Sequence, residues 1–168
     1  MKKHALSFLF IITLFSLTAV SASAVVNDTL KVGIRWGSTA LEAANLENAV
    51  GSGYEFGYYD EDREFVYLDE TDETTITMQA SGSGNDVTVT ETRSGEVLFQ
   101  FRDNGYCLGI RPMGRHTETW CKGYKYPGGF EYRCNADGTL TVINVVNIDD
   151  YVKGVVPYEM DKDWPLAA

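Results

Sequence analysis

One carboxylate stands in company suited to chemistry. Glu159 is flanked by Pro157, Tyr158 and Met160, with Trp164 a few residues on. An apolar, aromatic setting disfavours the charged form of a carboxyl by desolvation, so its pKa is expected to rise. A carboxylic acid that keeps its proton near neutral pH can serve as a general acid. The other reading of Glu159 is structural: a cap on a following helix, or a partner for a surface cation. Perturbed carboxylates mark sites only statistically. Other chemistries lack their parts. After the N-terminal segment His116 is the one histidine, which leaves little scope for a His-based triad. Zinc-dependent amidase chemistry needs a metal held by several His or carboxylates, and no such set is present. Asp60 and Asp62 lack the further oxygen ligands of a calcium loop and read as a solvated turn. The run Ser81-Gly82-Ser83-Gly84-Asn85 is a flexible loop and no phosphate cradle, because no Gly-Lys-Ser/Thr follows.

Three elements must position Glu159. Thr139 to Val146 (TLTVINVV) is rich in β-branched residues and predicts a strand. Asn147 is suited to cap a helix, with Asp149 and Asp150 favourable in its first turn. Ile148, Tyr151, Val152 and Val155 fall on one helical face. Gly154 and Pro157 are expected to limit this helix to about two turns, which leaves Glu159 in the turn beyond it. Asp150 reads as a helix-terminus residue ahead of a catalytic partner.

The run from Leu140 to Ala168 (LTVINVVNIDDYVKGVVPYEMDKDWPLAA) resembles the signature of the stage II sporulation protein D family, which also includes the amidase enhancers. The pattern is a strand ending in Asn-Val-Val, an acidic-Tyr helix leading to Gly-Val-Val-Pro-x-Glu-Met, and a Trp-Pro helix. Asp150, Tyr151, Gly154 to Pro157, Glu159, Met160 and Trp164 to Leu166 match it in order. The resemblance covers roughly thirty residues closely, with a looser fit back to Tyr126. It implies an exported protein acting on peptidoglycan glycan strands. In the sporulation branch the matching Glu is the catalytic residue of a lytic transglycosylase, a role that falls here on Glu159. Tyr151, Tyr158 and Trp164 are then expected to line the substrate groove. The other branch implies a non-catalytic, glycan-binding module that activates a separate cell-wall hydrolase. The sequence stops at Ala168, inside the Trp-Pro helix, so the chain is expected to be part of a longer protein. No cofactor is assigned to this stretch; some family members are thought to use zinc held by residues that would lie beyond Ala168.

Composition sets the compartment and excludes partners. Lys2 and Lys3 precede an apolar run, Ala5 to Val20, and Ala22-Ser23-Ala24 is an A-x-A cleavage site. Residues 1–24 therefore read as a signal peptide and the remainder as secreted or extracytoplasmic; the alternative is an uncleaved anchor. Loss of Lys2 and Lys3 moves the formal charge from −10 to −12. Such acidity argues against nucleic acid, whose phosphates need neutralising cations. Glycan binding must come from aromatic faces and hydrogen bonds, and ten Tyr, eight Phe and three Trp offer them, although several Phe belong to the signal peptide. Cys107, Cys121 and Cys134 are odd in number. Export permits one disulfide with a thiol left over, or a partner beyond Ala168.

The rest reads mainly as strands. Leu30 to Trp36 alternates as a strand. Thr39-Ala40-Leu41-Glu42 has the form of a capping box, which predicts a helix to about Val50, closed by Gly51. Tyr54–Tyr59 and Arg63–Leu68 predict a hairpin, followed by strands at Thr74–Met78, Val87–Thr90 and Glu96–Phe101. Asn104 to Gly129 reads as the least regular part. Its Arg111, Arg115, His116, Trp120, Tyr124 and Tyr126 could bind a sugar or a peptide carboxylate, or simply cover a sheet edge. Asp137-Gly138 predicts the hairpin turn into the signature strand. The expected fold is α+β, mostly antiparallel strands with short helices. The boundaries read as a β-rich region over 25–103 and the first part of the signature domain over 104–168.

Overall fold

The computed structural model describes residues 28–82, 84–114 and 118–159, without the side chains of residues 118 and 155–159. The signal peptide expected at 1–24 lies outside the described residues. Among the described residues, no helix is long and apolar enough to cross a membrane.

Two six-stranded sheets, antiparallel at every pairing, carry the fold. Among the described residues twelve strands run in chain order: β1 (Thr29–Arg35), β2 (Ala44–Glu47), β3 (Tyr54–Tyr59), β4 (Phe65–Thr71), β5 (Thr75–Ala80), β6 (Val87–Glu91), β7 (Val97–Phe101), β8 (Leu108–Pro112), β9 (Glu118–Cys121), β10 (Tyr124–Pro127), β11 (Gly129–Cys134) and β12 (Leu140–Asn147). The first sheet has the order β1-β12-β11-β8-β3-β4 and the second β10-β9-β2-β5-β6-β7. One helix, α1 (Ile148–Glu159), follows β12 directly. Each sheet draws strands from both sides of residue 104, and β1 lies along β12, the last strand among the described residues.

The core lies between the sheets. Tyr54, Phe56, Ile110, Phe130 and Tyr132 from the first sheet meet Ala44, Leu46, Ile76, Met78, Val87 and Val89 from the second. All are essentially buried, and Phe56 stacks on Phe99 with ring centroids 5.0 Å apart. Alternation sets this up: in β5, Ile76 and Met78 point inward while Thr75 and Thr77 point outward. Burial of this kind is the main stabilising term, at about 25 cal/mol per Å2 of apolar surface.

The structure corrects three expectations. The helix predicted from Thr39 to Val50 is absent. A three-residue 3-10 turn, Gly37–Thr39, is followed by strand β2. Thr39 turns its hydroxyl back to the Trp36 carbonyl at 2.8 Å, and Leu41 exchanges backbone hydrogen bonds with Leu140. Ala44 and Leu46 are buried while Asn45 and Glu47 are exposed, the period of a strand. Pairing with β5 and β9 outweighs a weak local helix signal. Second, residues 104–129 hold three strands, β8 to β10, where irregular chain was expected. Their glycines serve packing: a Cβ on Gly109 would stand 3.1 Å from the Tyr59 ring, and one on Gly129 only 2.0 Å from its hydroxyl. Third, α1 does not end near Gly154 or Pro157 but runs 12 residues, to Glu159. Pro157 sits in the last turn, where its missing N–H removes a single bond. The predicted hairpin of β3 and β4, the strands β5, β6, β7 and β12, and the turn at Asp137-Gly138 are as expected.

Candidate functional site

The signature helix begins as its residues dictate. The Asp149 N–H donates to Asn147 Oδ1 at 2.8 Å, so Asn147 is the N-cap. Asp149 and Asp150 occupy the first turn, where the helix dipole favours negative charge. Asp150 also accepts from Lys153 Nζ at 3.1 Å, an exposed pair of small energetic value.

A cavity of about 180 Å3 lies between α1 and the strands beside it. Val32 and Ile34 of β1 and Val146 of β12 form its apolar wall. Lys125 and Tyr126 of β10 close one side, and Asp150, Tyr151 and Gly154 present the helix. Asn144 supplies a polar group. Its side chain is buried and Nδ2 donates to the carbonyls of Pro127 and Gly129, each at 2.9 Å. Those bonds tie β12 to the β10–β11 corner under the helix. Sequence reasoning missed Asn144 as a site residue. The available signal was a single amide inside the β-branched run TVINVV, at an inward-facing position.

The predicted site residues separate into groups. Tyr151 is half-buried on the cavity wall. Glu159 is the last residue of α1, within the helix where a following turn was expected. Its side chain and that of Tyr158 lie outside the described residues, as does Trp164 altogether. Helical periodicity puts position 158 on the stripe of Tyr151 and Gly154. It puts position 159 with Ile148 and Val152, which are 43% and 48% exposed. Glu159 therefore belongs to the apolar stripe next to the cavity-facing one.

The remaining candidates have structural partners. Arg111 pairs with Glu55 and lies over the Phe65 ring, 4.7 Å from its centroid. Asp60 accepts the Glu64 N–H at 2.9 Å, a turn role. Arg115 and His116 lie outside the described residues. Among the described residues, no three His, Cys, Asp or Glu side chains gather as a metal cluster. All three thiols are free, so of the alternatives left open by the sequence a disulfide between two of them is not formed. Cys121 is buried in the second sheet, while Cys134, in the first, donates to the Asp86 carbonyl at 3.4 Å. Burial pushes all three thiols up, Cys134 to about 11 with help from Cys107 and Asp86. A protonated thiol is a poor nucleophile at neutral pH, so none is suited to that role.

The comparisons with known proteins find a family match and a relative. A 46-residue stretch is 48% identical to an uncharacterized protein of Brachyspira hyodysenteriae, and it amounts to 27% of this chain. The chain spans only 12% of that relative's length. No solved structure matches the chain with significance. The family model described as Stage II sporulation protein matches residues 136–168, from the turn before β12 through α1 and onward. Residues 136–168 are thus similar to the SpoIID family of sporulation proteins, and Glu159 lies inside the match.

Proposed function

We propose that this chain belongs to an exported protein that cleaves peptidoglycan glycan strands as a lytic transglycosylase, with Glu159 as its general acid and base. The observation that carries the reading is the family match over the helix that ends in Glu159. The side cavity supports it with two aromatic rings, Tyr126 and Tyr151, one buried amide and an apolar wall next to that helix.

In this chemistry the Glu159 carboxylic acid protonates the glycosidic oxygen, and the bond from that oxygen to the anomeric carbon breaks. The sugar's own 6-hydroxyl oxygen then bonds to the anomeric carbon and its proton returns to the Glu159 carboxylate. One carboxyl suffices because the substrate supplies the nucleophile, unlike the paired carboxylates of ordinary glycosidases. The acid must be protonated at the start. The sequence neighbours Pro157, Tyr158 and Met160 would serve that end by disfavouring its charged form. Tyr151, Tyr158 and Trp164 are the groove residues of this reading, and no metal enters it.

The test is digestion of purified peptidoglycan, stripped of stem peptides, by the protein expressed from its full reading frame. Mass spectrometry then looks for anhydro-sugar ends. Their formation supports the enzyme. Retained glycan, together with stimulation of a separate amidase, would support the enhancer module in its place.

A further inference from the structure

The outer face of the second sheet is unlike the rest of this acidic surface. Thr75, Thr77 and Gln79 of β5 point out of the sheet beside Thr88 and Thr90 of β6, with Asn45 of β2 opposite Thr77. None of these side chains is charged, in a chain with 24 acidic residues. The hydroxyls and amide form a linked row: Asn45 Nδ2 donates to Thr77 Oγ1 at 3.0 Å, and Thr77 Oγ1 lies 3.0 Å from Thr92 Oγ1. Such a row still offers donors and acceptors on its open side.

An aromatic ring closes one end of this row. Trp120 of β9 stands opposite Glu47 of β2 and is 36% exposed. The turn Lys122-Gly123, both residues at positive φ (51° and 85°), folds β10 back so that Lys125 faces Trp120. The Lys125 ammonium sits 5.2 Å from the ring centroid and fixes the indole from one side. Between ring and row lies a cavity of about 290 Å3, lined by Asn45, Glu47, Thr75, Thr92, Trp120 and Lys122. Lys125 also lines the cavity beside α1, so the two sites adjoin.

We propose that this face binds an uncharged saccharide chain bearing N-acetyl groups, with Trp120 as its stacking residue and Asn45, Glu47, Thr75 and Thr92 as its hydrogen-bonding edge. A pyranose ring presents apolar C–H faces and a hydroxyl rim, which a fixed indole with flanking amide, hydroxyl and carboxylate groups complements. Other partners fit less well. Peptides join a sheet at its edge or fill an apolar groove, and this is a polar sheet face. Nucleic acid needs a cationic surface, and Glu47 and Glu91 flank the site. On this proposal a chain lying over Trp120 would pass beside Lys125. The inference rests on the proposed function for the ligand's origin in the wall, and it gives that reading a second anchoring point away from Glu159.

The test is calorimetric titration of the full chain with N-acetylglucosamine tetramer. Binding is expected, and Trp120→Ala should weaken it on the order of tenfold or more. Asn45→Ala should weaken it less, and Tyr67→Ala, which removes an exposed ring on the other sheet, should leave it unchanged. Circular dichroism melts check that each variant is folded. Absence of binding by the parent chain would overturn the proposal. So would unaltered affinity in folded Trp120→Ala, or affinity lost in Tyr151→Ala alone, which would move the ligand to the helix cavity. Glu159→Gln in the same titration separates the two readings: binding that survives it belongs to the sheet face whether or not the protein cleaves glycan.

Discussion

At the scale of single residues, the site depends on how α1 is started and what lies under it. Asn147 satisfies a backbone donor that the first turn would leave unpaired. Asn147→Ala should lower stability by about 1 kcal/mol, measured by denaturant unfolding, with loss of helical signal. The acidic side chains supply a second prediction. The Glu91 carboxylate accepts the N–H groups of Ser94 and Arg93, which hold it down at about 2 against an ordinary 4.5. Asp86 is lowered by the Asp103 N–H and Arg102, and Asp137 by the Thr139 hydroxyl and N–H. A carboxyl depressed in the folded state stabilises it above its unfolded pKa, and that contribution is lost as pH falls through the folded value. The thermal midpoint should therefore fall as pH drops from about 4.5 toward about 2, and Glu91→Gln should flatten that slope. A midpoint insensitive to pH over this window would contradict the assignment.

At the scale of elements, some of the design was legible and some was not. The strand TLTVINVV and its Asn147 cap were readable because β-branched density and capping chemistry are local signals. The strand β2 was not, because Leu41 to Glu47 carries helix-forming residues whose fate is decided by β5 and β9, remote in sequence. Likewise Gly109 and Gly129 read as loop punctuation, while their role is to admit Tyr59 across the sheet. Trp120 was singled out on a loop. Its strand, and the Thr row beside it, appear only when β9 is brought to β2. Glu159 was legible as a residue but placed in a turn, since propensity alone stopped the helix at Pro157. The pairing of β1 with β12 gives an element-scale prediction. Removing residues 25–36 strips the partner from β12 and one wall from the helix cavity. Such a variant should lose its cooperative thermal transition in circular dichroism, whereas removing residues 1–24 alone should leave it.

At the scale of the whole molecule, two sheets enclose one core and leave two differently built faces to solvent. The exposed side of the second sheet carries a row of Thr and Asn side chains beside Trp120, with Glu47 and Lys122 at its edge. The helix lies at the side, over β1 and β12, with a small aromatic cavity beneath it. Lys125 joins the two places. On the proposed reading, a polymer held across the second sheet would be presented to the carboxyl of Glu159. The central claim is that this carboxyl transfers the proton. Peptidoglycan stripped of stem peptides is digested by the protein and by Glu159→Gln at equal concentration, and anhydro-sugar ends are counted by mass spectrometry. The account predicts such ends with the parent and a drop of at least about a hundredfold in the variant, with glycan binding retained. Equal yields from both proteins, or none from a folded parent, would contradict it.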